Sequence, residues 1–137
     1  MISELDFSMQ NVFQLEHIEK LCFTAEAWNR NAIIYEFQND FSYFWADIED
    51  DIIVAYSCAR LIVDELQINN IAVLPQYRRQ GIGTGLIEAI ADFGRARGVT
   101  QIQLEVNEDN IGAIELYKKC GFVVEGERKN YYVRTRF

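Results

Sequence analysis

The sequence predicts an α+β domain, a mixed sheet with helices on both faces. Three observations carry this. Apolar and polar residues alternate in several short segments, most clearly where Gln101, Gln103 and Glu105 interleave with Ile102, Leu104 and Val106. Elsewhere apolar residues recur every three or four positions, as in Ile82, Leu86, Ile87, Ile90 and Phe93. A basic, glycine-rich stretch from Arg78 to Gly85 joins a strand-like segment directly to that helix-like one.

Taken in order, Ile2 to Phe7 reads as a first strand. Asn11 is a candidate cap for a helix with Val12, Leu15, Ile18, Leu21 and Cys22 on one face, ending near Thr24. Asn29 or Asn31 can cap a short second helix that carries Ile33, Ile34 and Phe37. Phe41–Ile48 and Ile52–Val63 are rich in aromatic and β-branched residues and flank the turn Glu49-Asp50-Asp51, which makes them a hairpin. Asp64-Glu65 turns the chain again into Leu66–Val73, so three strands form a meander. The long helix after the glycine loop stops near Gly98, and Thr100–Val106 is a further strand. Asn107 to Asn110 lead into a last helix, closed by Cys120 and by Gly121 in a left-handed cap; Phe122–Glu125 and Asn130–Phe137 are the final strands.

With 137 residues, half of them apolar, the chain makes a single domain over residues 1–137 that needs no metal or disulfide to stabilise its core. A net charge of −8 argues against nucleic acid as a partner, because phosphate repulsion would be balanced only locally. No apolar run of membrane-spanning length and no signal-peptide layout are present, so no membrane partner and a cytoplasmic location are expected. Cys22, Cys58 and Cys120 are odd in number and lack metal-ligand spacing, which suits reduced thiols. A monomer is the working expectation, although nothing in the sequence sets the oligomeric state.

The stretch from Asn69 to Ile90 organises the rest. A strand, a turn at Pro75, a loop with Arg78, Arg79, Gly81 and Gly83, and then a helix N-terminus together make an anion site. The first helical N–H groups have no intrahelical partner, and the helix dipole favours negative charge. The expected ligand is a diphosphate. The loop lacks the lysine of a P-loop, and its glycines do not follow the dinucleotide-binding pattern. The spacing Arg78-x-x-Gly81-x-Gly83 instead resembles the coenzyme A signature of the GNAT acetyltransferases.

Further segments repeat that resemblance in family order: Asn70-Ile71-Ala72-Val73, Leu104-Glu105-Val106, Asn110-x-x-Ala113-Ile114-x-Leu116-Tyr117, Gly121-Phe122, and Arg128-x-Asn130-Tyr131-Tyr132. The chain is identified as a member of the GNAT family and, within it, is similar to the ribosomal-protein-alanine N-acetyltransferases. The resemblance implies a mixed, mostly antiparallel sheet whose cofactor lies in a cleft where two parallel strands splay. It implies acetyl-CoA as co-substrate, without a metal, and direct attack by an amine in a ternary complex. The backbone of Ile71, Ala72 and Val73 would pair with the pantetheine arm. Arg78, Arg79, Gln80, Gly81, Ile82, Gly83 and Thr84 would form the pyrophosphate loop, with Asn110 also on the cofactor. Glu105 would be the proton acceptor and Tyr117 the proton donor. There are two departures: Ala27 stands where relatives often have proline, and the chain stops at Phe137 where relatives continue into another strand, so that strand is either short or cut.

The chemistry is consistent with these roles. A free α-amine has a pKa of about 8 against about 10.4 for lysine, so an N-terminus is the easier nucleophile, and a carboxylate acting through water suffices as base. On pattern alone, Glu105 could equally be a solvated strand residue and Tyr117 a packing residue. Trp28, Tyr131 and Tyr132 either line a slot for the acceptor peptide or belong to the core. Acidic turns at Asp47–Asp51 and Asp64-Glu65 could attract a basic ribosomal protein or simply be solvated. The alternatives are acetylation of a small-molecule amine or lysine side chain, an acyl-cysteine route through Cys120, and a non-catalytic acyl-CoA-binding module.

Overall fold

The computed structural model describes residues 1–23, 26–107, 109–127 and 130–136, and for residues 107, 124–127 and 130–136 the backbone alone. Its strands are β1 (Ile2–Glu4), β2 (Ser42–Glu49), β3 (Ile52–Ile62), β4 (Glu65–Val73), β5 (Gln101–Asn107), β6 (Val123–Glu127) and β7 (Asn130–Arg136). Its helices are α1 (Met9–Cys22), α2 (Arg30–Phe37), α3 (Ile82–Arg95) and α4 (Ile111–Lys119). The strands form one sheet of seven in the order β1-β2-β3-β4-β5-β7-β6. Every neighbouring pair is antiparallel except β4 with β5.

Local chemistry explains most boundaries. Asp50 and Asp51, both at positive φ, form a two-residue connection between Glu49 and Ile52, the geometry that matches strand twist in a tight hairpin. Asn29 caps α2, its side chain accepting the Ala32 N–H at 2.8 Å. At the end of α4, the Phe122 N–H donates to the Tyr117 carbonyl and the Gly121 N–H to the Lys118 carbonyl, with Gly121 at φ +98°, a Schellman closure.

Several boundaries differ from the sequence expectation by one to three residues, and two of them lie at the start of the chain. Helix α1 starts earlier, because Ser8 takes the cap by accepting the Asn11 N–H at 3.0 Å, while the Asn11 amide donates back to the Asp6 carbonyl. Strand β1 is shorter than expected for the same reason, since the chain turns away after Glu4 to enter the helix. The end of α1 expected near Thr24 lies outside the described residues; the helix closes at Cys22.

The two faces of the sheet carry separate cores. On one, Val12, Leu15 and Ile18 of α1 and Ile33 of α2 pack on Phe44, Tyr56, Cys58 and Ala72. On the other, Leu86, Ile87, Ile90 and Phe93 of α3 cover Trp45, Leu66, Ile68, Ile102 and Leu104. Burial of each such side chain contributes roughly 1.5–3 kcal/mol, which holds both helix layers against the sheet.

Strand β4 changes face part-way along. Cys58 pairs with Asn70 but Ala59 pairs with Ile68, so Asn69 is an extra residue in β4. A bulge of one residue reverses the alternation beyond it. Leu66 and Ile68 face the α3 side before the bulge, Ile71 and Val73 face it afterwards, and Ala72 turns to the α1 side.

The β3–β4 turn carries backbone strain. Val63, a β-branched residue, sits at φ +56° with 93% of its surface exposed. Val63→Gly removes that strain without removing packing and is expected to raise unfolding stability by about 0.5–1 kcal/mol, read by denaturant titration.

Candidate active site

The parallel ladder between β4 and β5 runs only from Glu65↔Gln101 to Ile68↔Leu104. Beyond it the strands part, because the bulge at Asn69 redirects β4 while β5 keeps pairing with β7. A cleft of about 1470 Å³ opens there. Its lining draws on β4 and β5, the loop before α3, helix α4, and the connection from α1 to α2.

Most residues proposed from sequence meet in this cleft. Ile71, Ala72 and Val73 form one wall, followed by Arg78, Arg79, Gly81, Ile82, Gly83 and Thr84. Asn110, Glu105, Tyr117 and Trp28 line it from the other elements. Gln80 does not; its amide turns back to the Gln76 carbonyl at 3.4 Å. The side chains of Tyr131 and Tyr132 lie outside the described residues, and their backbones pair with Val106 and Glu105.

The loop before α3 is sharply curled and ends on an uncapped helix N-terminus. Arg79 at φ +64° and Gly81 at φ +80° curl the backbone, and Gly81 stands at the N-cap of α3 without a side-chain cap, leaving the first helical amide groups without a capping side chain. Arg78 folds across the strand end, its Nε donating to the Val73 carbonyl at 3.0 Å. That carbonyl also accepts from the Cys22 thiol at 3.3 Å, so it is already engaged. A Cβ at Gly83 would stand 2.8 Å from Leu116 Cδ2, which means that α3 and α4 approach each other through this glycine. Asn110 caps α4 by accepting the Ala113 N–H at 3.2 Å.

The two candidate proton carriers occupy opposite environments. Glu105 is exposed on the cleft wall, on the sheet face away from Leu104 and Val106. Tyr117 is 8% exposed and packs against Phe122. Burial, assisted by Cys120, pushes its phenol up to about 12, so it keeps its proton at neutral pH. Cys120 does not line the cleft, and burial pushes its thiol up, which removes the basis for an acyl-cysteine route.

Sequence reasoning missed several residues at the site. Glu19 and Tyr56 lie beneath the cleft in contact with Asn70, and Cys22 and Glu26 line it. The available signal was Glu19 itself, a carboxylate four residues after Leu15 on the apolar face of α1. Among the described residues, no group of His, Cys, Asp or Glu side chains could hold a metal ion, and no helix is long and apolar enough to cross a membrane.

A mixed sheet that splays at a bulged strand, with an anion loop at the opening, defines a coenzyme A-type binding fold. The profile of the Acetyltransferase (GNAT) family matches residues 12–122. The chain belongs to that family, a class of acetyl-CoA-dependent acyltransferases. It is 42% identical over 81 residues to the ribosomal protein bS18-alanine N-acetyltransferase of Escherichia coli, a match covering 59% of this chain and 55% of that relative. It is 30% identical over 125 residues to a Bacillus subtilis protein provisionally named for the same activity, covering 90% and 82%. The crystal structure of the Escherichia coli alanine N-acetyltransferase superposes with a TM-score of 0.84 at 26% identity, over 98% of this chain and 91% of that one.

Gly83→Val sets a branched side chain against Leu116, which must shift, and crowds the backbone of the anion loop. Acetyl-CoA affinity, measured by calorimetry, is expected to fall at least about tenfold in a variant that keeps its folded circular dichroism.

Proposed function

We propose that the protein transfers an acetyl group from acetyl-CoA to the α-amino group of an N-terminal alanine of a ribosomal protein, by direct attack in a ternary complex. The observation that carries this reading is the cleft at the β4–β5 splay, with its anion loop at one end and both Glu105 and Tyr117 on its walls. In this reading the loop from Arg78 to Thr84 and Asn110 hold the diphosphate of acetyl-CoA, and the free edge of β4 beyond Asn69 receives its pantetheine arm. The acceptor approaches along Trp28, with Tyr131 and Tyr132 on the facing strand.

In the reaction the acceptor amine attacks the thioester carbonyl, a C–N bond forms and the C–S bond breaks. Glu105 takes the amine proton through a water, and Tyr117 gives its phenolic proton to the departing thiolate. A buried phenol that titrates only at about 12 arrives protonated, as a donor must. Glu105 is exposed, so a water can stand between its carboxylate and the amine.

The choice of an α-amine rests on the Escherichia coli and Bacillus subtilis relatives, whose names state alanine N-acetylation. The acidic chain, with a net charge of −8, suits a basic ribosomal protein. Its free thiols suit the reducing cytoplasm.

The test is CoA release with two acceptors, a peptide with a free N-terminal alanine and the same peptide with a blocked terminus and a free lysine. Turnover with the alanine terminus is expected. Turnover with the blocked lysine peptide alone would overturn the α-amine assignment, and tight acetyl-CoA binding without turnover on any amine would overturn catalysis. In the same assay, Glu105→Gln is expected to lower kcat by about 10²–10⁴ while acetyl-CoA affinity is preserved. The pH profile follows from the same roles. The amine reacts deprotonated, so kcat/KM should rise to a plateau above about pH 8. It should not fall until the pH nears the Tyr117 value of about 12.

A further inference from the structure

Helix α1 carries a carboxylate on its buried face. Glu19 lies between the core residues Ile18 and Cys22, and none of its surface reaches solvent. A carboxylate there without partners would cost several kcal/mol, so its partners define its role. The other buried glutamate among the described residues, Glu36, is neutralised by Arg60. Glu19 is satisfied by hydrogen bonds instead. Its Oε1 accepts the Trp28 backbone N–H at 2.8 Å, and its Oε2 accepts the Tyr56 hydroxyl at 2.8 Å and the Asn70 amide at 2.7 Å. Burial pushes its carboxyl above the usual range, and these three bonds oppose that push.

The three donors are distributed in an informative way. Trp28 lies on the α1–α2 connection, which also lines the cleft. Asn70 lies on β4, one residue beyond the bulge, and reaches α1 only because the extra residue Asn69 reverses the face of the strand. Tyr56 links Asn70 to Glu19 a second time, its hydroxyl donating to Glu19 and accepting from the Asn70 amide at 3.1 Å. One carboxylate therefore binds both the bulged strand and the α1–α2 connection, and none of these three bonds comes from the anion loop, Glu105 or Tyr117.

We infer that Glu19 is a positioning residue that sets the acceptor-side wall at Trp28 against the bulged strand at Asn70, and so sets where the acceptor amine stands relative to the thioester. The inference rests on the acetyl-transfer reading above. It separates the two substrates: none of the three donors to Glu19 belongs to the loop from Arg78 to Thr84, so acetyl-CoA binding should survive its loss while use of the acceptor should not.

The test is a donor–acceptor swap. Glu19→Gln keeps the size of the side chain but sets an amide against the Asn70 amide. Glu19→Gln combined with Asn70→Asp restores complementarity, the new carboxylate at position 70 accepting from the Tyr56 hydroxyl and from the new amide at position 19. Three quantities are read: exchange of the Trp28 backbone amide without any acceptor, the Kd for acetyl-CoA, and KM and kcat for the alanine peptide. Loss of one buried hydrogen bond predicts about tenfold faster Trp28 exchange and about tenfold higher acceptor KM in Glu19→Gln, with acetyl-CoA Kd changed by less than about twofold. The swap should return the first two to within about threefold of the parent.

Unchanged Trp28 exchange and acceptor KM in Glu19→Gln would overturn the inference. So would an equal loss of acetyl-CoA affinity, which marks a merely structural role, or a folded swap as impaired as the single variant. If Glu19→Gln does not fold, Tyr56→Phe deletes one of the three bonds and should give the same pattern in weaker form; no change in Trp28 exchange or acceptor KM there would equally overturn it. A parent protein inactive on the alanine peptide would defeat the acceptor assignment alone, because Trp28 exchange and acetyl-CoA binding still report on Glu19.

Discussion

The parallel pairing of β4 with β5 ends at Ile68 and Leu104, and the functional half of the molecule is arranged around the gap beyond. Strand backbone must find hydrogen-bond partners, so two adjacent strands part only where something redirects one of them and supplies other partners. Here the extra residue Asn69 redirects β4, and β7 keeps β5 in place by pairing along its whole length. The gap is left with a strand edge on one wall and a helix N-terminus at its end. Both present backbone N–H groups, which an extended, anionic ligand can use without any particular side chain.

Charge is then sorted within the opening. Arg78 and Arg79 stand at the start of α3, while Glu105 and Glu26 line the cleft elsewhere. A protein with a net charge of −8 thus keeps a cationic, dipole-assisted patch at one part of the cleft and carboxylates at another. The same division governs the proton carriers. Tyr117 is desolvated, and its ring is fixed by Phe122 and the Schellman closure of α4, whereas Glu105 faces water. Burial keeps the Tyr117 phenol protonated at neutral pH, while Glu105 stays in contact with solvent.

Much of this was legible in the chain because the signals are local. The Asp50-Asp51 turn, the Asn29 cap, the Gly121 closure and the Arg78-x-x-Gly81-x-Gly83 loop each lie within a few residues of their partners, and each appears where its residue types direct it. The period of α3 and the alternation of β5 were equally readable, since one buried face imposes each. The first helix shows the limit of local reading: Ser8 and Asn11 are comparable caps, and a three-residue error there displaced the end of β1 as well.

The sequence by itself determined the element order, the glycine-rich anion loop at the start of α3, and the alternation that turns Glu105 away from the core. Only the tertiary structure decided that Asn69 is a bulge, that Asn70 therefore faces α1, and that Glu19 meets a partner 51 residues away beneath the cleft. The physical reason is that a carboxylate on an apolar helix face carries no record of what will neutralise it. Which donors reach it depends on the register of a strand distant in sequence, and that register is set by the packing of the whole sheet.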